Sequence, residues 1–344
     1  MLNYWVSVIT IGLIFSIATL GMNVKFGWAG ELDLAMFAYV AVGAYMYSVA
    51  VLPPSRLPPP DHYDLGLRLP FMGGLVIAVV TTMAVSLVVG AVALRKLRGD
   101  YFAIVTVAFA LGLSIFISEY TPLFNGYPGV YGVSQPLNGY LKLGPTAYGV
   151  FFLGLCTVFL AGTYVLLELL LKSYFGRALR SVREDQVASA AFGRNIYVLK
   201  LKAYVLGGAV AGLSGAFFAA YLSAFNPYAW SPSETFLILG AMFIGGMANS
   251  RGAIIGTFFV FVAIQEFTRL LPVIPGAAEA SDALRFVIIG VLIIAVLWLR
   301  PQGLLPERRD RDGEKRAPWA TSLRALRRGR SSGLPADSNA ALIP

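Results

Sequence analysis

The chain of 344 residues is 57% hydrophobic and only 13% charged, whereas soluble domains usually carry roughly 25% charged residues. This composition excludes an ordinary soluble domain and predicts a membrane protein. The net charge of +9 does not indicate nucleic-acid binding, because ten of the 27 basic residues follow Trp298 and most of the others fall in loops between apolar segments.

Nine segments are apolar over the roughly 20 residues that a membrane-spanning helix needs. They are approximately 4–24, 28–51, 71–94, 101–119, 146–171, 199–224, 234–249, 252–271 and 283–299. The seventh segment is short, so a re-entrant element is the alternative to a full crossing there. We therefore predict an all-α polytopic membrane protein with about nine transmembrane segments, within a range of roughly eight to ten.

The distribution of charge predicts the orientation of these segments. With nine crossings and a cytoplasmic C-terminus, 22 basic residues lie on the inner side and five on the outer side, as the positive-inside rule requires. The N-terminus is then outside the cell. We assign residues 1–305 to one transmembrane domain and residues 306–344, which mix charges with Gly, Ser and Pro, to a disordered cytoplasmic tail.

Ionisable residues at membrane depth are costly unless they face protein or water, so they are candidates for the path of a solute. Glu31 and Asp33 stand near the start of the second segment, and Glu266 is the most deeply placed. We expect Glu266 to face the interior of the bundle. For Glu31 and Asp33 the alternative is a surface position that a nearby helix N-terminus favours.

The polar stretch of residues 173–202, between the fifth and sixth segments, predicts a cytoplasmic helix. Gly176 precedes this helix, and Gly193 with Asn195 follows it, which suits an entry turn and a C-terminal cap. One predicted face carries no charge and contains Ala178, Leu179, Val182, Gln186, Ser189 and Ala190. The opposite side carries Arg177, Arg180, Arg183 and Glu184. The helix is either a docking surface for a partner or a solvated connector that contacts nothing.

The sequence contains no motif for catalysis or metal binding. It lacks a GxxxxGK[ST] loop, spaced Cys or His pairs and a G-x-S-x-G turn. The one histidine, His62, falls in a predicted outer loop, and the one cysteine, Cys156, falls within a predicted segment as a packed hydrophobe. We therefore predict no catalytic residue, no metal and no cofactor. Energy for any transport must then come from an ion gradient or from a partner.

Several stretches occur together in the order typical of one protein family. They are GWAG at 27–30, LRGDYFAIVT at 97–106, FGRALRSVREDQVASAAFGRN at 175–195, GGMANSRGAIIG at 245–256 and RPQGLL at 300–305. In these stretches the chain resembles the permease subunits of ABC importers for branched-chain amino acids, and specifically the longer member of the permease pair. The resemblance runs from about residue 10 to residue 305, so only the predicted tail is unmatched.

This resemblance implies a multi-pass transport subunit of the bacterial inner membrane that is not itself an enzyme. Two ATP-binding subunits would dock on its cytoplasmic loops, a paralogous permease would complete a heterodimer, and an extracytoplasmic solute-binding protein would deliver the solute. Residues 173–202 would be the coupling loop. The positions that the resemblance assigns to ATPase coupling are Arg183, Glu184, Asp185, Ala188 and Gly193. Small residues would fit a groove of the ATPase, and the charges would fix the register.

The sequence departs from the family after the Gly-x-Ala-Gly turn, where the family usually has Gln, Ser and a Gly-His pair. Those positions are occupied here by Glu31, Asp33, Ala35 and Met36. The candidates for the translocation path are Glu31, Asp33, Tyr101, Thr106 and Glu266. Because two carboxylates replace neutral groups, the solute stays open between a branched-chain amino acid, urea or a short amide, and a more cationic molecule.

Two hypotheses from other functional classes remain. The chain could be a self-contained secondary transporter that is coupled to protons or sodium through Glu31, Asp33 or Glu266. It could also be a structural or assembly protein of the membrane. Uptake by the reconstituted chain without any ATPase favours the first of these hypotheses, and the second predicts no transport in any assay.

Overall fold

The computed structural model describes most of the chain up to Pro306. The described residues are 2–54, 66–96, 99–137, 144–264, 266, 287, 288, 290, 291, 294, 295, 298, 299 and 303–306. The predicted outer loop with His62, much of the predicted ninth segment and residues 307–344 of the predicted tail lie outside these ranges.

The described chain is almost entirely helical. The long helices are α1 (Leu2–Met22, continued by a π-helical turn over Asn23–Trp28), α2 (Met36–Val51), α3 (Phe71–Lys96), α4 (Gly99–Glu119), α6 (Pro145–Lys172), α9 (Ile196–Leu222) and α10 (Pro232–Gly245). The short helices are α5 (Thr121–Phe124), α7 (Tyr174–Glu184), α8 (Gln186–Ala191), a 3₁₀ turn (Pro227–Trp230) and α11 (Ser250–Phe258, continued by a π-helical turn over Phe259–Ile264). Two short strands, β1 (Val130–Tyr131) and β2 (Ala224–Phe225), pair antiparallel.

Among the described residues, five helices are long and apolar enough to cross a membrane. They are Leu2–Trp28, Phe71–Arg95, Gly99–Glu119, Pro145–Lys172 and Ile196–Leu222. The chain bends by 120° between Glu234–Gly245 and Ser250–Val262, as in a broken span or a re-entrant loop. The predicted all-α polytopic class is therefore confirmed, and the count of about nine segments stays a prediction.

The ends of the helices gather into two groups. At one end the stretches predicted to be cytoplasmic meet: the Asn249 side chain donates to the carbonyl of Leu305 at 3.2 Å, and the Arg251 guanidinium donates to the Tyr164 hydroxyl at 2.9 Å. At the other end, β1 and β2 join two loops predicted to be outside. We call these groups the inner end and the outer end; which one faces the cytoplasm stays a prediction from charge.

Helices α1, α2 and α9 form the centre of the bundle, and glycines allow them to approach closely. A Cβ atom added to Gly21 of α1 would lie 2.7 Å from the carbonyl oxygen of Gly207 of α9, and Gly43 of α2 faces Gly212 of α9 backbone to backbone. Helices α3, α4 and α6 lie at the periphery: 28% of the apolar stretch of α3 is buried, against 67% for α1. Their exposed apolar surfaces suit lipid or another membrane subunit.

Candidate functional site at the inner end

The stretch 173–202, predicted as one helix, contains α7, α8 and the start of α9, and Gly176 lies within α7 instead of preceding it. Helix α7 ends at Glu184, and Asp185 adopts an extended backbone with φ −151° and ψ 109°. The Asp185 carboxylate then accepts a hydrogen bond from the Ala188 backbone N–H at 2.9 Å and caps the start of α8. The expectation of one continuous helix was therefore wrong, because this aspartate caps a new helix better than it continues the old one.

Most of the uncharged face predicted for this helix packs against the bundle. Ala178, Leu179 and Val182 of α7 are buried, and α7 contacts α6, α9 and the π-helical turn of α1. Apolar burial thus fixes α7 onto the membrane domain. These three side chains and that of Ser189 are therefore unavailable to a partner, whereas Gln186 and Ala190 of the same predicted face are exposed on α8.

Helix α8 and the turn that follows it project away from the bundle. Val187 is 81% exposed and Phe192 is 85% exposed. Ala188 and Gly193 are also exposed, and Gly193 has φ +75°, a backbone conformation that favours glycine. The small residues here were predicted to contact a partner, whereas Val187 and Phe192 were not. Both could have been recognised from the sequence, because each is a large apolar residue beside alanine in a polar stretch.

Arginines connect the segment to the membrane domain. Arg183 donates to the Gly27 carbonyl at the end of α1, and its side chain lies against Gly30, which has φ +76°. Arg180 reaches the Leu171 carbonyl at 3.3 Å, and Arg194 donates to the Ser181 hydroxyl of α7. Of the five positions assigned to ATPase coupling, Arg183 therefore contacts the bundle, whereas Glu184, Asp185, Ala188 and Gly193 are exposed.

Two of the path candidates form ion pairs beside this segment. The Asp33 carboxylate contacts the Lys25 ammonium at 2.6 Å, and both side chains have no exposed area. The Glu31 carboxylate contacts the Lys200 ammonium of α9, and both side chains are 10% exposed. Lys25 and Lys200 are two of the 22 basic residues predicted on the inner side, and nothing in the sequence indicated that they pair with these carboxylates.

Aromatic rings and a hydroxyl complete the cluster. The Lys25 ammonium lies 3.7 Å from the centre of the Tyr39 ring and 4.1 Å from that of Tyr204, and the hydroxyls of these two tyrosines are 2.8 Å apart. Such cation–π contacts offset part of the cost of burying the charge. Thr106 of α4 accepts a hydrogen bond from the Leu34 N–H at 3.1 Å. Glu31, Asp33 and Thr106 are therefore close together.

The other two path candidates lie apart from this cluster. The Tyr101 side chain, near the start of α4, is 63% exposed. Glu266 accepts a hydrogen bond from the Tyr4 hydroxyl near the start of α1, at the outer end. The structure thus brings three of the five predicted path residues together and separates two from them.

A narrow groove runs between α2, α4 and the 3₁₀ turn, one to two helical turns from the charged cluster. Its walls are formed by Ala38, Ala41, Ala110, Leu113, Ser114, Ile117, Pro227 and Trp230. These side chains are apolar apart from the Ser114 hydroxyl and the Trp230 ring nitrogen. Among the residues that the structure describes, no group of three or more His, Cys, Asp or Glu side chains could hold a metal ion.

Comparisons with known proteins were made for the whole chain. Residues 4–297 match the sequence model of the family described as branched-chain amino acid transport system / permease component. The high-affinity branched-chain amino acid transport system permease protein LivM of Escherichia coli K12 is 28% identical over 88% of this chain and 70% of its own length. The probable LivM of Methanocaldococcus jannaschii is 24% identical over 86% and 91%. The LivH permease of Escherichia coli K12 is 25% identical over 86% and 92%. No solved structure matches the chain significantly.

Proposed function

The chain belongs to the permease family of branched-chain amino acid transport systems, and from this premise we propose that it is the membrane subunit of an ATP-driven importer for such amino acids. It is a multi-pass protein of the bacterial inner membrane. Similarity to LivM proteins supports its role as the longer member of a permease pair. The match over residues 4–297 supports one permease domain over 1–305.

The exposed helix α8 carries the proposal. Val187 and Phe192 present apolar surface to water on the same short projection, beside the small residues Ala188 and Gly193. Exposed apolar patches mark interaction sites, and aromatic side chains are enriched at protein interfaces. In our proposal, two ATPase subunits dock on the cytoplasmic surfaces of the permease pair, and one of them receives α8 in a groove.

The charges around α8 orient this contact. Glu184 is exposed at the end of α7, where it is available to basic groups of the ATPase. Asp185 caps α8 and so fixes the direction in which Val187 and Phe192 project. Arg183 ties α7 to the Gly27 carbonyl, so a displacement of the segment is transmitted to the end of α1. We therefore assign docking to Glu184, Ala188 and Gly193 and transmission to Arg183.

The two ion pairs affect which charge on a solute the path would favour. Two lysines balance the two carboxylates, so the cluster has no net charge and offers little attraction to a cation. The groove walls formed by Ala38, Ala41 and Trp230 are apolar, which favours an aliphatic side chain over urea or a short amide. We propose that the path follows the seam between α2 and α4, past Thr106, and carries a zwitterionic amino acid with a branched aliphatic side chain.

The remaining partners follow from the same assignment. Relatives of both the LivM and LivH type match this chain, which supports a paralogous permease as the second half of the membrane domain. Exposed apolar faces on α3, α4 and α6 offer surface for it. A solute-binding protein would reach the outer end, where β1 and β2 join the loops. The relatives are named for transport, which agrees with a chain that performs no chemistry itself.

Reconstitution tests the proposed function. Proteoliposomes would contain this chain, the paralogous permease, both ATPase subunits and the binding protein, and uptake of labelled leucine would be measured. We expect uptake only with hydrolysable ATP. Uptake that a proton or sodium gradient drives in the absence of the ATPases would contradict the proposal and favour a secondary transporter.

A charge reversal localises the coupling surface in the same assay. We expect Glu184→Lys to lower ATP-driven uptake by about tenfold or more while membrane insertion stays normal, because it reverses a charge in a docking contact. Glu119→Lys is the matched control, since Glu119 is also exposed at a helix end but lies at the outer end. Normal uptake by Glu184→Lys would remove this residue from the docking surface.

A further inference from the structure

Residues 29–35, between the π-helical turn of α1 and the start of α2, fold back into the bundle without helical structure. A Cβ atom on Gly21 would lie 2.8 Å from the Met36 side chain, so α2 begins beside Gly21. Trp28, the last residue of the π-helical turn, is seven residues after Gly21, which corresponds to about 10 Å along a helix. The second span is therefore interrupted at its inner end, and residues 29–35 occupy the interruption. We call them the inner segment.

The backbone of the inner segment is held by side chains from several elements. Thr106 of α4 accepts from the Leu34 N–H at 3.1 Å, and the Asp33 carboxylate accepts from the Ala35 N–H at 2.9 Å. The backbone N–H of Phe37, two residues after Ala35, donates to the Thr235 hydroxyl of α10 at 3.2 Å. Such irregular backbone at membrane depth is tolerated only where protein or a cavity satisfies it.

The two ion pairs attach this same segment to two different helices, and they differ in burial. Lys25–Asp33 has no exposed area and sits between the rings of Tyr39 and Tyr204. Lys200–Glu31 joins the segment to α9, and both side chains retain 10% exposure next to Gly30, which is itself exposed. Water can therefore reach the second pair and solvate its charges as they separate, whereas the first pair would separate into apolar surroundings.

Arg183 lies at the same junction. It donates to the carbonyl of Gly27, two residues before the inner segment, and its side chain packs against Gly30 within that segment. It belongs to α7, which leads directly into the exposed helix α8. The inner segment is thus in contact with the element that, in our proposed function, receives the motion of the ATPase.

We propose that the inner segment is the gate at the inner end of the translocation path, with Lys200–Glu31 as its latch and Lys25–Asp33 as its fixed anchor. This inference rests on the proposed function for the source of the motion. Displacement of α7 pulls on the backbone at Gly27 and Gly30 through Arg183, the latch separates into water, and the segment swings about the anchor. The path past Thr106 then opens to the cytoplasm.

Thiol accessibility tests the latch in the intact protein within inside-out membrane vesicles, without nucleotide. The probe is Ala38→Cys, a buried position in the groove wall along the proposed path, in a Cys156→Ala background, because Cys156 is the only native cysteine. A membrane-impermeant maleimide is applied from the cytoplasmic side. Lys200→Gln and Glu31→Gln are added singly, and Lys202→Gln serves as the matched control, since Lys202 is exposed and lies two residues along α9.

We expect both latch variants to raise the labelling rate by about tenfold or more, since loss of one partner shifts the population toward the open state. The control variant should label at the parental rate. The exchanged pair Glu31→Lys with Lys200→Glu should return labelling toward that rate, which a simple loss of folding would not do. Equal rates in the latch variants and the control would overturn the gate.

Cross-linking provides a second measurement, which compares one double variant before and after its two new thiols are bridged. Glu31→Cys with Lys200→Cys would be joined by a short bifunctional thiol reagent in the fully assembled importer. We expect the closed cross-link to abolish ATP-driven uptake, and a cleavable reagent to restore it on reduction. Normal uptake by the cross-linked protein would overturn the gate. ATP-dependent uptake in the parent would still stand in that case, so failure of the gate is distinguishable from failure of the proposed function.

Discussion

Helices α7 and α8 come from one polar stretch, and they differ in what they do with their apolar residues. Helix α7 buries Ala178, Leu179 and Val182 against the membrane domain. Helix α8 and the following turn leave Val187 and Phe192 exposed. Asp185 separates the two by ending one helix and capping the next. Attachment to the bundle and presentation to a partner are therefore divided between two adjacent helices.

The strongest test of this division replaces a buried residue of α7. Leu179→Asp would place a charge in apolar surroundings, and we expect it to destabilise the protein by about 3 kcal/mol or more. Val187→Asp on α8 is the matched change and should leave stability nearly unaltered. Thermal unfolding in detergent and the yield of inserted protein measure both. Equal losses for the two variants would show that α8 is also packed.

The next test removes the proposed anchors of the partner. Phe192→Ala and Val187→Ala together should weaken binding of the ATPase subunits by about 2 kcal/mol or more, or roughly thirtyfold, because exposed apolar anchors dominate interface energies. Titration of purified ATPase onto the detergent-solubilised permease pair measures the affinity. Tyr174→Ala, an exposed aromatic residue at the start of α7, is the control. An unchanged affinity for the double variant would exclude α8 as the docking element.

A smaller effect is expected when the hydrogen bond between Arg183 of α7 and the Gly27 carbonyl is removed. Arg183→Gln removes a charged donor from the Gly27 carbonyl, and such a hydrogen bond is worth about 1.5–3 kcal/mol. We expect ATPase binding to be retained and uptake per ATP hydrolysed to fall. Parallel assays of hydrolysis and uptake measure that ratio. If binding and coupling fell together, Arg183 would belong to the docking surface instead.

The smallest effect is expected at Asp185, where two variants separate the role of the charge from the role of the helix cap. Asp185→Ala should cost about 1 kcal/mol of local stability in α8, whereas Asp185→Asn should cost little because asparagine also caps well. Hydrogen exchange at the amides of residues 186–191 measures local opening. If Asp185→Asn impaired uptake as much as Asp185→Ala with α8 still protected, the charge itself would contact the ATPase.

The long spans were predictable because length and apolarity determine them almost alone. Segments predicted at 71–94, 101–119 and 146–171 correspond to α3, α4 and α6 within a few residues. The second segment was predicted from residue 28, whereas α2 begins at Met36. That difference arises because Glu31 and Asp33 contact Lys200 of α9 and Lys25 of the π-helical turn, and the backbone of residues 29–35 that carries these carboxylates is not helical.

The candidate site was predictable in composition and only partly in geometry. The carboxylates Glu31 and Asp33 were recognised by their cost at membrane depth. Their partners were not. Lys200 is 169 residues from Glu31, and only the packing of α9 brings them together. Lys25 is eight residues from Asp33, but the turn over residues 29–35 that brings them into contact was not predicted. The break at Asp185 had a local signal, since aspartate before a short run of small residues is a typical N-cap. A continuous amphipathic pattern across it favoured one long helix.

Site-specific cross-linking from α8 would show whether this helix contacts an ATPase subunit. A cysteine at position 192, made by Phe192→Cys in the Cys156→Ala background, would carry a photoactivatable group in membranes that contain the whole importer. Tyr228→Cys, an exposed position at the outer end, is the control. The account predicts that position 192 cross-links to an ATPase subunit and position 228 does not. A transport-competent importer in which position 192 is labelled from outside the cell, or cross-links to no ATPase, would contradict it.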